Sequence, residues 1–268
     1  KMMSDSTVPT LPEYAGNPFI AMLPPLRSQK DFLQALKKAP VFDEKERSYP
    51  AFIRKHCIAR LSNAFLPQAR QVDLAERVDL LLRQGYVGRN PLKHDYLNHL
   101  HNGIERIEAG SLDAPTVSPV QNTARSFALL GCPGVGKTLA MNCVLGLYPQ
   151  VINHAHPFRL KQIVWLRLEA PALGSLKQLC IDFFDAIDRL IGTDYVKRYA
   201  THVGVEQMLP SMAQIAHIHA LGALVIDEIQ HLLANRSKNS DEMLNFFVTL
   251  VNIYSLPIVM VGTPKAIQ

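Results

Sequence analysis

From Ser126 to Val261 the chain alternates short, almost wholly apolar runs with longer segments whose apolar residues recur at helical spacing. Ser126–Leu130, Gln162–Leu168, Leu221–Ile226 and Ile258–Val261 read as strands. Leu221–Ile226 is apolar nearly throughout, as a strand covered on both faces must be. Helices are predicted from Lys137 to about Leu147, from a Ser175 cap to a Gly192 stop, from Val205 to Ala220 with a bend at Pro210, and from a Ser240 cap to about Tyr254. In the Ser175 helix, Leu176, Leu179, Cys180, Phe183, Phe184, Ile187, Leu190 and Ile191 form one broad stripe. Strands alternating with helices of this length pair in parallel through right-handed crossovers. The expected fold class is therefore α/β, a parallel sheet between two helical layers.

The pattern upstream is different. Residues 1 to about 26 carry Pro9, Pro12, Pro18, Pro24 and Pro25 among small polar residues and read as an extended arm. Residues 28–40 place Phe32, Leu33 and Leu36 at helical spacing, and from Tyr49 to Gly110 helical patterns dominate. One of them, with Val72, Leu74, Val78, Leu81 and Leu82, is expected to stop at Gly85. A polar break with Pro115 and Pro119 reads as a linker. The expected division is an arm and helical extension over residues 1–110, a linker over 111–122, and a core over 123–268.

Three groups of residues in that core carry chemistry. Gly131-Cys132-Pro133-Gly134-Val135-Gly136-Lys137-Thr138 fits G-x-x-x-x-G-K-[ST], follows a strand and opens a helix. Glycines let the backbone curl so that its N–H groups converge on phosphate oxygens, and the helix N-terminus adds partial positive charge. This predicts ATP bound by Gly131 through Leu139, with Lys137 on the β- and γ-phosphates and the Thr138 hydroxyl on Mg²⁺. Leu224-Val225-Ile226-Asp227-Glu228 then delivers two acids at the end of a buried strand. Asp227 suits organising Mg²⁺ through its water shell, and Glu228 the polarisation of an attacking water. Finally, Thr263 sits at the tip of the next strand, where it suits a sensor of the γ-phosphate or serves as a turn residue before Pro264.

Other residues alter this picture little. His154/His156 and His217/His219 are spaced i,i+2 without an evident third ligand, so surface or satisfied histidines are expected rather than a metal site. Phe183/Phe184 and Phe246/Phe247 read as core. Cys57, Cys132, Cys143 and Cys180 show no metal spacing and read as free thiols. Lys177, Arg236 and Lys238 are candidate contacts to DNA phosphates, or parts of solvated surface. The net charge of +5 permits a polyanionic partner without identifying one. Most of the excess lies upstream, where residues 1–125 hold 17 Lys/Arg against 13 Asp/Glu. No stretch reaches the roughly 18–20 apolar residues of a membrane span. The first ten residues lack the apolar core of a signal peptide, and Met2 or Met3 is the expected start.

Several stretches together resemble the TnsC/TniB group of AAA+ transposition regulators. They are NPFIAMLPPL (Asn17–Leu26), GYVGRNP (Gly85–Pro91), GCPGVGKT, GSLKQLC (Gly174–Cys180), LVIDEIQHL (Leu224–Leu232), EMLNFFVTLVNI (Glu242–Ile253) and VGTPKA (Val261–Ala266). The resemblance implies an AAA+ P-loop fold with a mostly helical N-terminal extension, and Mg²⁺-dependent ATP hydrolysis stimulated by DNA or partners. It also implies assembly into rings or filaments on double-stranded DNA. The assembly would link a TnsD/TniQ-type target selector to a TnsB/TniA-type transposase and be reset by hydrolysis. The implied location is the bacterial cytoplasm, on the nucleoid when assembled, without a membrane partner. The chain departs from the family in stopping just past Thr263, before the helical lid with its second sensor and the arginine finger. A helicase-loader-like DNA ATPase and a nucleotide-gated scaffold with negligible turnover are the alternatives.

Overall fold

The computed structural model describes residues 11–109, 126–155, 159–201, 203–233, 239–253 and 255–264. Its strands are β1 (Phe127–Leu130), β2 (Val151–His154), β3 (Leu160–Ile163), β4 (Trp165–Glu169), β5 (Ala223–Asp227) and β6 (Ile258–Gly262). Four of them form a parallel sheet in the order β1-β6-β5-β4, while β2 and β3 pair antiparallel beside it. Upstream of the sheet lie α1 (Pro18–Ala21), α2 (Gln29–Leu36), α3 (Ala51–Ala59), α4 (Ala69–Val87) and α5 (His94–Ala109). Interleaved with the strands are α6 (Lys137–Leu145), α7 (Leu176–Ile191), α8 (Tyr195–Tyr199), α9 (Val205–Ile218), α10 (Gln230–Leu233) and α11 (Asn239–Val248). The architecture is α/β, a parallel sheet covered by helices on both faces, with a helical N-terminal part.

Period-two alternation in the buried strands builds a core on each face of the sheet. Leu224 and Ile226 of β5 join Leu166, Leu168 and Ile258 on one face, against the apolar stripe of α7 and residues of α9 and α11. Ala223 and Val225 point the other way, with Val259 and Val261, and meet Met141, Val144 and Leu145 of α6. That second face is also covered by upstream residues, among them Phe19, Phe32, Leu82 and Tyr86. Phe19, Leu82 and Tyr86 are fully buried, each worth roughly 1.5–3 kcal/mol of hydrophobic stabilisation.

Polar groups fix how this helical layer sits. Asn17 caps α1 by accepting from the Phe19 N–H, and its amide donates to the Tyr86 carbonyl at 2.6 Å. The Tyr86 hydroxyl donates to the Ala220 carbonyl at 2.9 Å, and Arg89 donates to the Leu221 carbonyl at 2.7 Å. Asp79, itself buried, accepts from Arg83 at 2.9 Å and from the Tyr148 hydroxyl at 2.8 Å. The NPFI and GYVGRNP stretches are therefore built into one another and into the turn that starts β5.

Several local expectations are corrected. Residues 17–21 are not part of an extended arm: Asn17 is a helix cap and Pro18 occupies a first-turn position, where its missing N–H costs nothing. Gly85 does not end its helix, which continues to Val87 with Gly88 as the cap. Gln162–Leu168 is two strands rather than one. The chain changes sheets at Val164, whose N–H turns to the Gln150 carbonyl at 2.9 Å. The β2–β3 hairpin and α8 were not anticipated. Ser240 lies within α11, which begins at Asn239 and passes into a π-helical turn over Thr249–Ile253. Residues 110–125, which include the expected linker, lie outside the described residues.

Candidate nucleotide site

The loop between β1 and α6 has the backbone that its sequence requires. Gly134 and Gly136 adopt φ of 78° and 82°, a left-handed conformation that L side chains rarely adopt. These two turns bend the chain round so that Lys137 opens α6 with Gly136 as its cap. The loop's root is held to the sheet, where the Gly131 N–H donates to the Gly262 carbonyl at 3.2 Å. Cys132 to Gly136 are exposed, and Leu139 is half-exposed on the first turn of α6. The Lys137 ammonium lies across the loop and donates to the Gly131 and Cys132 carbonyls at 2.8 and 2.9 Å.

Opposite this loop stands the end of β5. Asp227 is 2% exposed, a buried carboxylate that must be satisfied by donors. Its Oδ2 accepts from the Thr138 hydroxyl at 2.8 Å, a contact spanning 89 residues of sequence. The same oxygen accepts from Arg167 of β4 at 2.8 Å, and Oδ1 accepts from the Glu228 N–H at 2.9 Å. Glu228 itself has φ of 54°, an unusual conformation for a glutamate, which turns the chain out of the strand immediately after Asp227.

Gln230 completes the site. Its amide nitrogen donates to Glu228 Oε2, and its amide oxygen accepts from the Thr263 N–H at 3.0 Å. Thr263 follows the last residue of β6, and its own hydroxyl is buried without a hydrogen-bond partner. Close packing there depends on Gly262, since a Cβ would lie 2.5 Å from Ile229 and 2.8 Å from the Gln230 amide oxygen. The sequence-predicted residues Lys137, Thr138, Asp227, Glu228 and Thr263 are thus linked by hydrogen bonds to the loop or strand tips that carry them. Neither Arg167 nor Gln230 was singled out from sequence. An arginine inside the apolar strand run WLRLE was the available signal for the first.

The donor set fits magnesium. One hydroxyl and one carboxylate are hard oxygen ligands, and Mg²⁺ takes few protein ligands while keeping several waters and binding substrate phosphates. The unpartnered Thr263 hydroxyl adds a buried polar group in want of an acceptor, which a phosphate oxygen would supply.

The remaining candidates lie elsewhere. Lys177 sits in the first turn of α7 and lines a groove of about 900 Å³ with Leu173, Glu206, Glu242 and Phe246, among others. No residue of the Gly131–Thr138 loop lines that groove. Arg236 and Lys238 fall outside the described residues, as does His156. His154 bonds Gln162 at 2.8 Å, and His217 meets His99 edge to face at 5.5 Å. His219 lies between the Tyr195 hydroxyl and the Lys161 carbonyl, at 2.9 and 3.2 Å. Burial lowers the His219 pKa to about 4, so the ring is neutral at pH 7. Among the described residues no helix is long and apolar enough to cross a membrane.

A family model described as an AAA domain matches residues 120–268. That span begins just before β1 and takes in every residue of the site above. No curated protein matches the chain.

Proposed function

The chain belongs to the AAA domain family, and from that premise we propose that it is a magnesium-dependent ATPase that regulates DNA transposition by assembling on double-stranded DNA. Nucleotide binding and nucleotide-dependent ATPase activity follow from the family. The transposition role rests on the resemblance of the stretches from Asn17 to Ala266 to TnsC/TniB regulators. Its partners would be further copies of the chain, a TnsB/TniA-type transposase and a TnsD/TniQ-type selector. The observation that carries the chemistry is the Thr138–Asp227 contact at 2.8 Å beside a loop turned by Gly134 and Gly136.

In this mechanism the loop N–H groups and the α6 N-terminus hold the phosphates. Lys137 exchanges the Gly131 and Cys132 carbonyls for β- and γ-phosphate oxygens, a short movement of one flexible side chain. Thr138 and Asp227 would hold Mg²⁺, which when bound neutralises charge on those oxygens. Glu228 accepts a proton from the attacking water, and its left-handed backbone and Gln230 set where its carboxylate points. Thr263 donates its free hydroxyl to the γ-phosphate or to that water. The change from ATP to ADP is thereby registered at the tip of β6.

Phosphate release measured with and without duplex DNA, together with electron microscopy of the protein on DNA with a slowly hydrolysed ATP analogue, tests this reading. Rings or spirals on DNA and DNA-stimulated release are expected. ATP-dependent assembly without release would instead support a nucleotide-gated scaffold. Release without any association with DNA would remove the transposition role.

A further inference from the structure

We infer that Arg167 is a placeholder for magnesium: a positioning residue whose guanidinium holds Asp227 toward Thr138 in the nucleotide-free protein and withdraws when Mg²⁺ and ATP bind. The inference rests on the ATPase reading above and assigns a residue that reading does not use.

Arg167 is on β4, the strand next to β5, in register with Val225, two residues before the acid. From there its Nη2 reaches Asp227 Oδ2 at 2.8 Å. A carboxylate only 2% exposed carries a large desolvation cost unless a cation or several donors face it. Thr138 and the Glu228 N–H supply two neutral donors, and Arg167 supplies the positive charge. Arg167 therefore places a cation beside the acid that would hold the metal.

That cation and a hydrated Mg²⁺ compete for the same oxygen. Oδ2 already accepts from both Thr138 and Arg167. Thr138 can keep its hydrogen bond to Asp227 while its oxygen turns to the metal, because a hydroxyl donates and accepts at once. Arg167 has no such option, since a guanidinium only donates. A hydrated Mg²⁺ held through Oδ2 would displace Nη2, the other donor on that oxygen besides Thr138. The guanidinium is built to let go: its side chain is 27% exposed, so solvent is within reach, and its buried Nε has no hydrogen-bond partner to anchor it. Two consequences follow. Arg167 raises the Mg²⁺ concentration the site requires, and it stabilises only the metal-free state.

The test is a Mg²⁺ titration at fixed concentration of a fluorescent, slowly hydrolysed ATP analogue, for the parental protein, Arg167→Met and Arg167→Lys. Half-saturating Mg²⁺ is expected to fall about tenfold in Arg167→Met, the factor carried by one charge-assisted hydrogen bond, with Arg167→Lys between the two. Melting temperatures give an independent readout. Arg167→Met should melt lower than the parent in chelator but at the same temperature with Mg²⁺ and analogue. Equal or higher half-saturating Mg²⁺ in Arg167→Met would overturn the inference, as would equal destabilisation with and without Mg²⁺. If Arg167→Met does not fold, Arg167→Lys and Arg167→Gln carry the same comparison. Absence of Mg²⁺-dependent binding in the parental protein would overturn the ATPase reading as well, and is distinguishable because it does not involve residue 167.

Discussion

Replacing Glu228 by glutamine separates proton transfer from every other function of the site. The change is nearly isosteric and removes one charge. Glu228 Oε2 accepts from Gln230, and a glutamine side-chain oxygen can accept the same bond, so the Gln230–Thr263 link and the left-handed turn at φ of 54° are retained. Thr138, Asp227 and Lys137 do not bond the Glu228 side chain among the described contacts, so phosphate and metal binding should persist. What is lost is a positioned base, worth about 10²–10⁴ in rate, or roughly 3–5 kcal/mol of barrier. Single-turnover phosphate release from prebound ATP measures the loss, and equilibrium binding of the same nucleotide provides the control. Glu228→Gln should bind ATP within about twofold of the parental affinity, a difference well under 1 kcal/mol, and should accumulate the assembled form. Release at the parental rate would remove Glu228 from its role. Slow release together with lost binding would mean that the side chain is structural.

Lys137→Ala should abolish nucleotide-dependent DNA association and weaken ATP binding at least about tenfold. Its melting temperature should change little, because the ammonium's hydrogen-bond partners are two carbonyls of its own loop, those of half-buried Gly131 and exposed Cys132; association unchanged in a salt-matched assay would count against the site. Tyr86→Phe removes the donor to the buried Ala220 carbonyl and should cost about 1–3 kcal/mol in urea unfolding, without altering ATP affinity. A cost below about 0.5 kcal/mol would show that the contact between the GYVGRNP stretch and the core contributes little. His219 gives a pH dependence. Its folded pKa, near 4, is below the ordinary value of 6.5, so the unfolded chain binds the proton more readily. Stability from this residue is fully present above about 6.5 and is lost as pH falls toward 4. The loss is on the order of 2 kcal/mol once the ring's partial exposure is allowed for. Chemical denaturation across that window should flatten in His219→Gln, and an unchanged slope would refute the assignment.

The nucleotide loop and the β5 acids were legible because their chemistry is local. Glycines at left-handed positions, a lysine and a hydroxyl at the start of a helix, and an apolar run ending in two acids need no tertiary information. The two-faced sheet was legible for the same reason, from the all-apolar β5 and the stripe on α7. What was hidden depended on partners distant in sequence. Gln162–Leu168 looks like one strand because nothing local marks Val164 as the residue that turns to Gln150. Pro18 suggested an extended arm, whereas its neighbour Asn17 is held by Tyr86, 69 residues away. Gly85 suggested a helix end, yet its helix is fixed by packing and continues. Arg167 was a polar interruption in an apolar strand, and only the proximity of Asp227 gives it a meaning.

The central claim is that the Gly131–Thr138 loop and Asp227 form one pocket for ATP with its metal. Calorimetric titration of the protein with a slowly hydrolysed ATP analogue, in Mg²⁺ and in chelator, tests it most directly. The account predicts saturable binding that weakens at least about tenfold on chelation and loses this metal dependence in Asp227→Ala. No heat of binding, or the same affinity with and without Mg²⁺, would contradict it.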